Sequence, residues 1–196
     1  MSLSDGNKLG NKRTAALSEV VGQSTLVRLD RTPLDPFGLT GYIVGLSEQL
    51  ILLHVLLDQV MQLNGYVAIR KRNVKKYKVY NAADDFMSRV LPLLDITPIL
   101  QPALDINSIH SLLSSAQGHY SLIGLELEEA KPDALIIGTV ENLSARTVAL
   151  RTIDSAGRWD DTARLLVKEI SRVTLGDGYQ EALSLLERHE ATLGAI

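Results

Sequence analysis

Apolar residues recur along this chain with two periods, and the switches between them mark out its elements. Leu17, Val20 and Val21 share one face of a short helix that Thr14 caps and Gly22 ends. From Ser24 to Asp30 the period becomes two, with Val27 and Leu29 set against Leu26, Arg28 and Asp30, as in a half-buried strand. A loop holding Pro33, Pro36 and Gly38 follows. Strands are predicted over 41–46 and 50–57, joined by the polar link Ser47-Glu48-Gln49. Asn64-Gly65 between the apolar runs 60–63 and 66–69 predicts a hairpin. A strand over 74–80 ends this stretch. Asn81 then caps a helix with Phe86, Val90 and Leu94 on its core face, broken by Pro92 and Pro98.

The same order then returns. Asp105 or Asn107 caps a helix bearing Ile109, Leu112 and Leu113, with Gly118 past its end. Strands are expected over 120–127, 134–143, 147–153, 164–167 and 169–175, with turns at Pro132-Asp133 and Ala156-Gly157. Asp177, in Gly176-Asp177-Gly178, caps a last helix bearing Tyr179, Ala182, Leu183 and Leu186. The repetition reaches single residues. The segment 41–53 aligns with 138–150, an offset of 97, and Gly41, Leu46, Ser47 and Leu53 are identical to Gly138, Leu143, Ser144 and Leu150. Four identities in thirteen positions exceed the roughly one that average residue frequencies predict. Each half therefore reads as helix, about five antiparallel strands, helix. Tight links without long crossovers point to a small barrel or sandwich.

Composition narrows the classes. With 196 residues, each half has a length that buries its own core. Two Phe and one Trp leave the core to Leu, Ile and Val. The absence of Cys excludes disulfides, thiolate metal sites and cysteine nucleophiles, and fits a cytoplasmic location. The apolar runs are shorter than the ~20 residues of a membrane-spanning helix. A net charge of −3 gives no global attraction to nucleic acid or anionic lipid. Residues 1–13 read as a polar, disordered tail.

The order of elements resembles the Sm-like fold of the Sm, LSm and Hfq proteins. Gly41-Tyr-Ile-Val-Gly-Leu46 is similar to the opening of the first Sm motif, and Ile69-Arg70 with Asn73-Val74 to the second. Gly157-Arg-Trp-Asp160 and Tyr179-Gln-Glu-Ala-Leu183 resemble segments of bacterial proteins built from two Sm-like halves. The resemblance covers about 14–190. It implies a mainly β chain with short flanking helices: two small SH3-like antiparallel barrels in tandem, over 14–95 and 96–196. It also implies assembly into homo-oligomers through exposed barrel edges. The RNA-binding members carry an Asp and, four residues on, an Asn that grips a base. Here those places hold Ser47 and Ile51, and Ser144 and Val148, which lack that gripping amide.

The densest charge feature is Arg70, Lys71, Arg72, Lys75, Lys76 and Lys78, six cations within nine positions and no acid among them. With Tyr66, Tyr77 and Tyr80 nearby they form a candidate edge for RNA phosphates and bases. The same cations also suit an edge strand protected against aggregation, or a docking patch for acidic protein surfaces. His54, His110, His119 and His189 have no helical zinc spacing, and Ser114, Ser115, Ser144 and Ser171 have no adjacent base. Asp160-Asp161 after Trp159 reads as a polar turn, with the indole closing one barrel end. The expectation is a non-enzymatic, oligomeric interaction or scaffold protein without cofactor or metal. The alternative is RNA binding through the edge at 70–78.

Overall fold

Ten strands form one antiparallel sheet in the computed structural model, which describes residues 17–81, 83–100, 104–132 and 134–193. The tail 1–13, the cap Thr14 and the turn residue Asp133 lie outside the described residues. The strands are β1 (Leu26–Arg31), β2 (Asp35–Leu46), β3 (Leu50–Leu57), β4 (Gln62–Arg70), β5 (Lys76–Val79), β6 (Ile123–Glu126), β7 (Leu135–Leu143), β8 (Thr147–Ile153), β9 (Trp159–Leu166) and β10 (Arg172–Leu175). Their spatial order is β5-β1-β2-β3-β4-β10-β6-β7-β8-β9. Three α-helices accompany them among the described residues: α1 (Phe86–Val90), α2 (Ile109–Ala116) and α3 (Gly178–Leu193).

The expectation of a mainly β chain holds, and that of two small barrels in tandem meets a sheet that runs through both halves and is not a closed barrel. The halves meet where β10 pairs with β4, from Arg172 opposite Ile69 to Leu175 opposite Tyr66. The physical reason lies in burial. Tyr66 to Ile69 are buried on both faces of β4, so the backbone groups of that strand need partners along both edges.

The sequence repeat is a structural repeat. Gly41 opposes Val55 as Gly138 opposes Thr152, and both pairs of strands shift register just beyond, between Ile43 and Gly45 and between Val140 and Asn142. Leu50 opposes Arg70 as Thr147 opposes Leu166. Asp30 opposes Lys76 as Glu126 opposes Arg172. The offset is thus 97 through β2 and β3 and 96 in β1, β4 and β5. The repeated glycines have a steric cause. A Cβ on Gly41 would lie 2.3 Å from the His54 carbonyl oxygen, and one on Gly138 would lie 2.0 Å from that of Arg151. The repeated serines also have a cause: Ser47 Oγ accepts from the Gln49 and Leu50 amides, and Ser144 Oγ from those of Arg146 and Thr147. Each closes the same tight link.

Two of the four apolar clusters among the described residues are large. One gathers Val27, Leu29, Ile43, Ile51, Leu53, Val67 and Ile69 under Leu17 and Val20. The larger joins Leu50, Leu52 and Ala68 of the first half to α2, through Ile109, Leu112 and Leu113, and to Leu125, Val148, Leu150 and Val173 of the second. The α2 face is the one expected, but its cap is Ser108, which accepts from the Ser111 amide. Asp105 instead accepts from the Asn107 amide.

Other expectations fail locally. Asn64-Gly65 is no hairpin turn; β4 continues through it with a bulge, where its pairing with β3 shifts register between Leu63 and Tyr66. Gly65 has φ +63, and a Cβ there would meet the Leu175 oxygen and the Asp177 nitrogen at 2.6 Å. Asn64 Oδ1 accepts from the Gly178 amide at the start of α3. The dipeptide therefore serves a close approach between the halves. After β5 the helix is shorter than expected. Asp85 caps α1, which passes at Leu91–Leu94 into a 3-10 turn holding Pro92. Leu91 is buried against Leu26, Tyr42 and Leu56, while Phe86 and Leu94 are exposed. In α3, Asp177 caps as expected and Leu183 is buried, but Gln180 is buried beside it and Tyr179 faces solvent.

Candidate functional site

The basic cluster 70–78 divides in two when folded. Arg70 ends β4 and points across the junction between the halves. Its Nε donates to the Ile170 carbonyl at 2.7 Å, and one terminal nitrogen donates to those of Val167 and Lys168 at 2.8 and 3.2 Å. Burial pulls its pKa below the usual guanidinium value. Arg70 is thus committed to the junction and leaves the expected binding patch. Tyr66 leaves it too. Its ring is buried and stacked on His54 at 4.4 Å, and its hydroxyl donates to the Ile99 carbonyl. The His54 Nδ1 accepts from the Ile99 amide, and burial pushes the His54 pKa down to about 4. Together the two rings strap the segment between the halves onto the sheet.

The rest of the cluster stays at the surface. Lys71, Arg72 and Asn73 form a 3-10 turn in which Asn73 is buried and Arg72 exposed. Lys75, Lys76 and Lys78 are exposed on or beside β5, and the Lys78 ammonium lies 4.3 Å from the centre of the Tyr80 ring. Ile51 and Val148 are fully buried, so neither side chain is presented to a ligand at the surface.

The junction carries a second tie that sequence reading missed. Arg31 is fully buried, and its guanidinium forms a two-pronged ion pair with Glu128, with one contact at 2.9 Å and a shorter one to the second oxygen. Ser171 Oγ donates to Glu128 and accepts from the Glu128 amide. Arg172 pairs with Glu126 at 3.2 Å, and burial raises the Glu126 pKa against the pull of that arginine. A lone Arg at the end of a strand gives no sequence signal for a carboxylate 97 residues away.

The two end strands, β5 and β9, each have one edge with no strand beside it among the described residues. Lys76 and Lys78 are exposed and share one face of β5. On β9, Asp160, Asp161, Thr162 and Arg164 are exposed. The expectation that Asp160-Asp161 forms a turn is corrected, because both lie within β9. Trp159 opens that strand. Its indole donates to Glu187 of α3 at 3.3 Å, and the Arg151 guanidinium lies 4.7 Å from the ring centre.

A cleft of about 370 Å³ lies between α3 and the sheet, lined by Tyr120, Thr139, Trp159, Gln180 and Glu187 among others. Some of its polar groups are engaged, since Thr139 donates to the Ser121 carbonyl, Ser121 and Ser184 share a hydrogen bond, and Gln180 donates to the Thr174 carbonyl, whereas the Tyr120 hydroxyl is buried with no hydrogen-bond partner among the described residues. Ser115 is likewise engaged, donating to the Ser111 carbonyl. Among the described residues no three His, Asp or Glu side chains stand together as metal ligands, and no helix is long and apolar enough to cross a membrane. Comparison of the chain with family models, with curated proteins and with solved structures gave no match.

Proposed function

We propose that this chain is a two-repeat, Sm-like assembly module that works as a scaffold, without enzymatic chemistry, by adding further copies of itself edge to edge. One observation carries the reading. The strands paired at the inner junction, β4 and β10, have their repeat counterparts at the two outer edges, β9 and β5. An edge that one half satisfies within the chain is therefore presented again, unpaired, at each end. Such edges are liabilities unless another strand covers them. A head-to-tail contact between identical copies closes into a ring or extends as a filament. The cysteine-free composition supports a reducing compartment such as the cytoplasm.

The test is size-exclusion chromatography with light scattering at tens of micromolar. A mass that is a multiple of 21.4 kDa is expected, and a lone 21.4 kDa species refutes the reading. A second reading, RNA binding, rests on the exposed cations Arg72, Lys75, Lys76 and Lys78, with Lys71 beside them. Its measure is salt-dependent binding of a short single-stranded RNA. Each phosphate contact adds about 0.7 to the log–log slope. Replacing Arg72, Lys75 and Lys76 by Ala then flattens that slope if the reading holds, and leaves RNA binding unmoved if it does not.

A further inference from the structure

The face that α3 turns to its cleft is polar. At about 100° per residue, Gln180, Glu181, Ser184, Glu187 and Arg188 fall within roughly one third of the helix circumference, and all five line the cleft. Apolar residues of α3 look the other way: Leu185 is 64% exposed and Tyr179 49%. A surface helix ordinarily sets its apolar stripe inward and its charges toward water. Three of the five cleft residues are charged, and among the described residues none of them is in an ion pair. Glu187 accepts from the Trp159 indole, and Arg188 Nε donates to the Ser184 carbonyl at 3.1 Å, a bond that does not use its terminal nitrogens. The facing wall is held in place. A Cβ on Gly176, whose φ is +59, would stand 2.7 Å from the Tyr120 ring, so glycine seats that ring on the turn into α3. The Tyr120 hydroxyl is buried without a partner, and burial, with Tyr66 and Glu181 adding to it, pushes its pKa up to about 12. It stays a neutral phenol whose oxygen can accept from a cation.

We propose that this cleft binds a free basic amino acid, with its two cationic groups on Glu181 and Glu187 and its carboxylate on Arg188. The charges match one for one: two carboxylates and a guanidinium against two cations and a carboxylate. Such charge-assisted bonds are the strong ones. Spacing sets the orientation. Arg188 is next to Glu187, so the α-ammonium, whose carbon also bears the carboxylate, belongs at Glu187. The side-chain cation then belongs at Glu181, beside Tyr120. Glu181 and Glu187 lie about 9 Å apart along the axis at 1.5 Å per residue, a span that two glutamate side chains shorten to the length of an extended lysine. A residue inside a peptide has lost both charges at its α carbon, so the free amino acid is the form that fits. The volume of about 370 Å³ is that of a small-molecule site. This binding is independent of whether copies of the chain assemble.

Trp159 is the only tryptophan of the chain, so its fluorescence reads the cleft directly. L-lysine should change it saturably, with a dissociation constant of about 1 mM or below. Norleucine, which lacks the side-chain ammonium, and cadaverine, which lacks the carboxylate, should each bind at least roughly tenfold more weakly. Glu181→Gln should weaken L-lysine by about tenfold and leave norleucine unchanged, and Arg188→Gln should weaken L-lysine by about as much and leave cadaverine unchanged. Glu187→Gln keeps an oxygen for the indole and should weaken all three probes. Circular dichroism of each variant should match wild type, because the three side chains are exposed or half-buried. Equal affinity for the three probes, or L-lysine binding that survives all three substitutions, overturns the assignment. So does a Trp159 fluorescence and an indole N–H resonance that both stay unmoved up to about 10 mM L-lysine.

Discussion

Replacing Arg70 by Ala should destabilise the protein far more than removing any other cation of the 70–78 cluster. Three hydrogen bonds from a charged group disappear, to the carbonyls of Ile170, Val167 and Lys168. Such bonds contribute about 1.5–3 kcal/mol each. The sum overstates the loss. Burial already penalises the guanidinium, as its lowered pKa shows, and water reaches the carbonyl of Lys168, whose bond is exposed and the longest of the three. A net cost of about 2–4 kcal/mol remains, a large share of the ~5–15 kcal/mol that holds a typical domain together. Arg72→Ala is the internal control, since that side chain is exposed and its loss should stay within about 0.5 kcal/mol. Urea unfolding followed by circular dichroism reads both, and hydrogen exchange of the β4 and β10 amides localises the effect. An Arg70→Ala protein within ~0.5 kcal/mol of wild type, or no weaker than Arg72→Ala, would show that the clamp is not what joins the halves.

Three further outcomes follow from the same geometry. Glu128→Ala leaves the buried Arg31 charge with only the more distant Asp35 carboxylate at 4.0 Å and should cost about 3 kcal/mol in urea unfolding, while Arg31→Met with Glu128→Leu should recover most of it. Gly138→Ala drives a Cβ to 2.0 Å from a backbone oxygen and should cost at least about 1–3 kcal/mol or abolish soluble expression, whereas Gly118→Ala, with no atom nearer than 3.8 Å, should leave thermal unfolding nearly unchanged. His54 is neutral when folded and its pKa of about 4 lies below the unfolded value, so its contribution is present above pH ~6.5 and is lost as pH falls toward 4. Wild type should lose roughly 3 kcal/mol over that window relative to His54→Phe, and parallel stability curves for the two proteins would refute this.

Much of the architecture was written in short-range patterns. Period-two runs located most strands, because one or both faces of each are buried. The repeat in 41–53 and 138–150 announced two equivalent units, because the same tight link and the same close strand approach require Ser and Gly in both. Asp177 was legible as a cap because capping depends on residues three positions apart. The failures share the opposite cause. Asn64-Gly65 signals a turn locally, yet Gly65 is needed by a neighbouring backbone more than a hundred residues along the chain. Arg70 and Tyr66 belong by sequence to a surface cluster, but partners at 167–170 and at Ile99 draw both into the structure. Asp160 and Asp161 read as a turn and became part of an edge strand, at the register shift in its pairing with β8 between Trp159 and Thr162. Local sequence thus determined the repeating unit and its tight links, whose forces act within a few residues. Only the tertiary structure decided that β4 takes β10 as its neighbour. That pairing fused the halves into one sheet, turned a cation of the cluster into a clamp, and left β5 and β9 as the two edges with no strand beside them among the described residues.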